Sequence, residues 1–171
     1  MPSNKGRAEA LASQAEAIIS EVLRPGRWPR QATVERFMED ERLERMLALY
    51  AAAMELDPEE PAHPWNLSST LRRIGLNDLA LAFMERAVRV GKSVDPAEWD
   101  TAGTHLARAD TAIAAERYDV ALIAIADALR LDGEDPELAA SAKDLVRVIK
   151  EKKHTNSPAR DLAESLRVVP A

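Results

Sequence analysis

Three segments of this sequence repeat one spacing of small and apolar residues, and this repeat most constrains how the chain can fold. In each segment an apolar residue is followed by another four positions later and by alanine seven positions later. The three sets are Met46, Tyr50 and Ala53; Ala80, Met84 and Ala87; and Ala121, Ile125 and Ala128. Ala53 and Ala87 are 34 residues apart, whereas Ala87 and Ala128 are 41 apart. The difference equals about two helical turns, so it could lengthen a helix without rotating its buried face. Repeats of this length predict stacked helix pairs.

The rest of the chain also favours helix over strand. Alanine and leucine outnumber valine and isoleucine 50 to 17, and apolar residues recur at helical spacing. An all-α chain is therefore predicted. Its helices are expected at about 6–24, 29–39, 41–56, 64–74, 77–90, 95–115, 118–131, 136–153 and 158–168.

The second repeat resembles a known family, the tetratricopeptide repeat, which is a 34-residue helix–turn–helix unit. The resemblance is best over residues 61–94. The matching residues are Trp65, Asn66, Leu67, Ser68, Leu71, Gly75, Ala80, Phe83, Met84 and Ala87. Gly75 fits the tight turn between the two helices, and the alanines fit positions where helices touch closely. Ser68 stands where the family usually has glycine, and Leu71 stands where it usually has tyrosine.

The resemblance implies a right-handed α-solenoid of antiparallel helix pairs, with extra helices at both ends. We expect three parts: an N-terminal amphipathic helix in 1–27, a repeat domain with a capping helix in 28–153, and a polar linker with a short helix in 154–171. The N-terminal helix is expected to dock either on the first repeat or on a second copy of the chain. The short helix over 158–168 is expected to be the least protected part, folding firmly only against the groove or a partner.

Members of the family usually bind peptides or protein segments on the face lined by the first helix of each pair. In the best-matching unit the residues predicted on this face are Trp65, Asn66, Ser69, Arg72 and Arg73. An asparagine amide can bond an extended backbone, an arginine can hold a carboxylate, and a tryptophan offers a rigid apolar platform. The corresponding helices of the other units offer Gln31, Glu35, Leu106, Ala107 and Asp110. The alternative is that Trp65 is core and the arginines are solvated.

Other chemistry finds little support. The chain has no cysteine, and a net charge of −6 argues against general nucleic-acid binding. The three histidines, His63, His105 and His154, have no neighbours at metal-ligand spacing, and phosphate-binding glycine loops and hydrolase motifs are absent. We therefore expect no catalytic residues, no metal and no cofactor.

The leading hypothesis is a non-enzymatic protein–protein interaction module: an adaptor, scaffold or chaperone-like subunit that binds a peptide or protein. The alternative is a homo-oligomeric structural subunit, dimerising through the N-terminal helix, and an accessory domain of an enzyme is a third hypothesis. No signal peptide or membrane span is predicted, so a cytoplasmic protein is expected. An excess of arginine over lysine and abundant alanine suggest a bacterial source.

Overall fold

The structure of the protein, a computed structural model, describes residues 3–22 and 39–155. Within these ranges the chain forms eight helices and no strands, which confirms the predicted all-α class for this part of the chain. The helices are α1 (Asn4–Val22), α2 (Glu41–Leu56), α3 (Ala62–Arg73), α4 (Asn77–Val94), α5 (Pro96–Trp99), α6 (Ala102–Ala114), α7 (Tyr118–Asp132) and α8 (Pro136–Thr155). The helices predicted over 29–39, with Gln31 and Glu35, and over 158–168 lie outside the described residues.

The helices pack chiefly with their neighbours along the chain. α1 packs against α2, α3 against α4, and α6 against α7, while α8 packs against both α6 and α7. α4 joins the second pair to the third through its contact with α6. The N-terminal helix therefore docks within its own chain, the first of the two alternatives that the sequence left open.

The core of the first pair shows why α1 belongs there. Ala8, Ala15 and Ile19 bury one face of α1, and Met46 and Tyr50 of α2 are fully buried in the same cluster. Small residues on α1 leave room for the larger ones on α2. Each large side chain withdrawn from water contributes about 1.5–3 kcal/mol. α2 thus covers the buried apolar face of α1 within the same chain.

The repeated alanines of α4 and α7 belong to the buried core. Ala80 and Ala87 of α4 and Ala121 and Ala128 of α7 are all completely buried. The burial of these four methyl groups agrees with the repeat spacing.

The turns inside the second and third pairs have the same backbone geometry. Gly75 has a φ of 85° and Glu116 has a φ of 57°, both in the left-handed region. In the first turn the N–H of Leu76 donates to Leu71 O at 2.9 Å, and in the second the N–H of Arg117 donates to Ala112 O at 2.8 Å. The sequence predicted a turn at Gly75. At the other turn the side chain of Glu116 disfavours the left-handed conformation.

The chain between the second and third pairs differs from the sequence-based prediction. α4 continues through Gly91 to Val94, and the single helix expected over 95–115 is divided into α5 and α6. Two separate caps explain the break. The Asp95 carboxylate accepts the N–H of Glu98, and the Thr101 hydroxyl accepts the N–H of Thr104. Each cap starts a new helix by satisfying an N–H that lacks a partner in its first turn.

Candidate functional site

The five residues predicted to bind a partner lie on one face of α3. At 100° per residue, Trp65, Asn66, Ser69, Arg72 and Arg73 fall within about 120° of the helix circumference. The opposite face is buried against other helices, and its buried residues include Leu67 and Leu71. The five residues share one side of α3, but their surroundings differ among them.

The buried side of α3 is fixed to α4 by a hydrogen bond. The Ser68 hydroxyl, completely buried, donates to the carbonyl oxygen of Ala80 at 2.7 Å. The serine that replaces the family's usual glycine therefore has a hydrogen-bonding role of its own. This bond joins α3 to α4 within the second pair.

Asn66 links α3 to α1. Its Nδ2 donates to Glu16 Oε1 at 2.9 Å, across 50 residues of sequence. Glu16 also lies near the buried phenol of Tyr50. Burial, with a smaller contribution from the charge of Glu16, raises the pKa of Tyr50 well above its ordinary value of 10. Asn66 retains its carbonyl oxygen and one N–H for a ligand, since no other bond to its amide is found in the described ranges.

Arg72 links α3 to α6. Its guanidinium forms an ion pair with the carboxylate of Asp110, and both side chains are partly exposed, at 40% and 45%. The sequence placed Asp110 on the corresponding helix of the next unit without predicting this pair. Because Arg72 already pairs with the Asp110 carboxylate, its guanidinium is less available to a ligand.

Ser69 and Arg73 are the predicted residues that remain open to solvent. Both are exposed, and neither makes a side-chain hydrogen bond or ion pair within the described part of the chain. They lie between the Glu16–Asn66 bond and the Arg72–Asp110 pair. A ligand on this face would therefore meet the Ser69 hydroxyl and, at the C-terminal end of α3, one uncompensated guanidinium.

Trp65 is half-buried rather than freely exposed. Its ring packs edge-on against that of Trp99, with 5.5 Å between ring centroids and 79° between planes. Trp99 comes from α5, the short helix that fills the longer interval between repeats. A cavity of about 480 Å³ opens beside Trp99, and acidic side chains dominate its polar lining. They are Asp57, Glu59, Glu60, Asp95 and Glu98.

A separate group of charges surrounds the buried imidazole of His105, which is 1% exposed. His105 Nε2 lies 2.8 Å from Asp100 Oδ1, and Lys92 Nζ lies 2.9 Å from the same oxygen. The hydrogen bond from His105, followed by that from Lys92, lowers the pKa of Asp100 below its ordinary value of 3.8. This group joins α4 to the start of α6.

Arg108 of α6 makes a second contact with α4 and extends the group to α7. Its Nε lies 2.7 Å from Glu85 Oε1 on α4, and its Nη1 lies 3.7 Å from Asp127 Oδ2 on α7. In residues 3–22 and 39–155, no three His, Asp or Glu side chains are grouped to hold a metal ion. Nor is any helix in those ranges long and apolar enough to cross a membrane.

Sequence reasoning missed two participants in this face, Glu16 and Trp99. Both come from helices far from α3 in the sequence, so local spacing carries no signal of their contact with it. The extended interval between the second and third repeats does indicate an inserted element, and Trp99 is its largest side chain.

Comparisons with known proteins agree with this architecture. No protein-family model and no curated protein matches the chain in sequence. Among solved structures, the N-terminal domain of stress-induced protein-1 (STI-1) from C. elegans has a similar fold, with a TM-score of 0.62. The two are 18% identical, and the match covers 85% of this chain and 98% of that one. The likeness shows an all-helical fold consistent with a tetratricopeptide-like helical repeat.

Proposed function

We propose that this chain is a non-enzymatic protein–protein interaction module, an adaptor, scaffold or chaperone-like subunit. In this proposal the pairs α1–α2, α3–α4 and α6–α7 are antiparallel and stack as a right-handed solenoid. Their first helices, α1, α3 and α6, line the surface that takes a peptide or protein segment. The similar solved structure is a domain of a stress-induced protein, which supports the proposal at the level of fold.

One observation carries the proposal: polar side chains connect the three first helices on their outer side. Asn66 bonds Glu16 of α1, and Arg72 pairs with Asp110 of α6. Because both contacts come from the same face of α3, the polar side chains of three helices meet along that face. An extended peptide needs such a surface, because its backbone and side chains need partners along several helices.

The binding residues proposed on this surface have different roles. Arg73 would hold a carboxylate, and Ser69 and Asn66 would bond the peptide backbone. Trp65 would give an apolar edge for a side chain beside Trp99. Arg72 would bind a ligand carboxylate only by exchanging it for that of Asp110.

A matched pair of charge reversals tests the proposal. Arg73→Glu reverses the unpaired charge of the proposed face, whereas Arg89→Glu makes the same change at an exposed position on α4, the second helix of the same pair. A photo-crosslinking residue at position 69 would capture bound proteins from the native host. We expect a discrete captured protein to be lost in Arg73→Glu and retained in Arg89→Glu. Equal capture by both variants would contradict binding at this face.

A further inference from the structure

α7 carries a stripe of apolar side chains that its own chain leaves open in the described structure. Leu122 is 41% exposed, Ile123 is 58% exposed and Leu129 is 38% exposed. With Ala126, positions 122 and 129 follow the i, i+4, i+7 spacing of one helix face. The stripe lies beside the face of α7 that is already buried.

In the preceding helix pair, other helices of the chain cover the equivalent positions of α4. The equivalent turns at Gly75 and Glu116 relate α4 to α7 by a shift of 41 residues. Leu122 and Leu129 therefore correspond to Leu81 and Val88 of α4, which are only 7% and 6% exposed. Leu81 is buried in a cluster with residues of α6, α7 and α8. On α4, the helices that follow it in the chain bury Leu81, the equivalent of Leu122. On α7, the following helix leaves Leu122 exposed.

α8 supplies only part of the missing cover. It packs on α6 and α7 and buries Ala142 and Ile149, yet the stripe on α7 stays exposed. The C-terminal end of α8 lies beside the start of α7, because Lys153 Nζ is 5.9 Å from the centre of the Tyr118 ring. The chain therefore leaves α8 beside the N-terminal end of α7, which is the end nearer to Leu122.

The sequence that follows α8 has a matching pattern. Leu162, Leu166 and Val169 are spaced by four and three residues, as are positions 122, 126 and 129 of α7. As a helix, residues 159–169 would be about 16 Å long, and Leu122 and Leu129 are separated by about 10 Å along α7. The charged residues of the segment fall on its other side. They are Arg160, Asp161, Glu164 and Arg167.

We propose that residues 159–169 form a helix that lies along α7 and covers Leu122 and Leu129. The segment runs in the same direction as α7, so Leu162 lies near Leu122 and Val169 lies near Leu129. With α8 it completes a fourth helix pair. The occupant of the exposed stripe is thus the chain itself, not a second copy or another protein.

Hydrogen exchange of the full chain tests this with matched substitutions. Leu166→Asp places a charge in the apolar stripe of the segment, whereas Ser165→Asp adds the same charge beside it. We expect the amides of 162–169 to exchange about tenfold faster, or more, in Leu166→Asp than in the wild type, because a buried leucine is lost. Ser165→Asp should leave them close to the wild-type rate. Unprotected exchange of 162–169 in the wild type would overturn the proposal.

Because the chain has no cysteine, disulfide trapping gives an independent test. Leu122→Cys with Leu162→Cys should form an intramolecular bond on mild oxidation, since a disulfide needs Cα atoms within about 7 Å. Asp132→Cys with Leu162→Cys is the control, because position 132 lies about 15 Å further along α7. A bond in the first pair alone supports the proposal. Disulfide-linked dimers in place of the intramolecular bond would instead assign the stripe to a second copy and overturn it.

Discussion

The indole ring of Trp99 lies directly against the backbone of Gly91. A methyl group added at Gly91 would overlap the ring atoms Cγ and Cδ2 and the Trp99 Cβ. Gly91 lies within a helix, so it is not needed for a turn. Its lack of a side chain leaves room for the Trp99 ring. Trp99 in turn supports Trp65 on the proposed binding face, so the contact connects the interval between repeats to the face of α3.

We expect Gly91→Ala to destabilise the protein by about 1–3 kcal/mol, the usual cost of overpacking, despite alanine's better helix propensity. Gly103→Ala is the matched control, because a methyl group there would meet only the Thr101 hydroxyl at 3.9 Å. The control should be neutral or stabilising by up to about 1 kcal/mol. Urea unfolding measures both, and equal effects would show that the ring does not restrict position 91.

Glu116→Gly should stabilise the protein by roughly 1 kcal/mol. Glu116 adopts the left-handed conformation that glycine adopts at Gly75, and a side chain there costs about 1–2 kcal/mol. Glycine also gains entropy in the unfolded chain, which reduces the net effect. Glu116→Ala keeps the unfavourable Cβ and should give no such gain. Thermal unfolding compares the two variants, and equal stability would argue against backbone strain at this turn.

Ala87→Leu should cost about 1–3 kcal/mol, because the methyl group of Ala87 is completely buried between helices. Ala82→Leu, at an exposed position of the same helix, should change the free energy of unfolding little. The melting temperatures of the two variants measure the difference. An unchanged melting temperature for Ala87→Leu would mean that the repeat register is wrong.

Acid should weaken the protein partly through Asp100. Folding lowers the pKa of Asp100, through His105 first and then Lys92, so its contribution to stability is complete above about pH 4. That contribution is lost as the pH falls through the lowered pKa. Asp100→Asn should therefore be less stable at pH 7, by about 1 kcal/mol, and lose less stability between pH 4 and pH 2. Urea unfolding at several pH values measures this.

Lys92→Met provides the graded control for the acid effect. It removes one of the two partners of Asp100 and keeps His105. Its loss of stability in acid should lie between those of the wild type and Asp100→Asn. If Asp100→Asn lost stability as steeply as the wild type, Asp100 would not be the source of the acid effect.

Local sequence signals predicted much of the helical architecture. Asp57-Pro58 ends α2 within a residue of its predicted end, Gly75 makes the expected turn, and the repeated alanines are buried. These features depend on a few adjacent residues, or on one period, and both are visible in the sequence. These local signals were sufficient to predict the all-α class.

The remaining features depend on residues that are distant in sequence or locally unfavourable. No spacing rule connects Glu16 with Asn66, so the use of α1 in this face could not be predicted. Glutamate is not a typical residue for a left-handed turn, so the sequence did not indicate the turn that the backbone makes at Glu116. Thr101 is different, because threonine often caps a helix: its hydroxyl bond to the Thr104 N–H marks the start of α6, and the sequence-based prediction overlooked that signal.

The packing of α1 on α2 has a consequence for synthesis of the chain. α1 ends at Val22, but the helix that covers it is complete only at Leu56, 34 residues later. At 5–20 residues per second this delay is roughly 2–7 seconds. Ala8 and Ile19 have no α2 surface to cover them during that interval, and a single helix of this length is marginal in water. For α3 the corresponding interval, from Arg73 to the end of α4 at Val94, is 21 residues, so α1 stays without its partner helix about half as long again as α3 does.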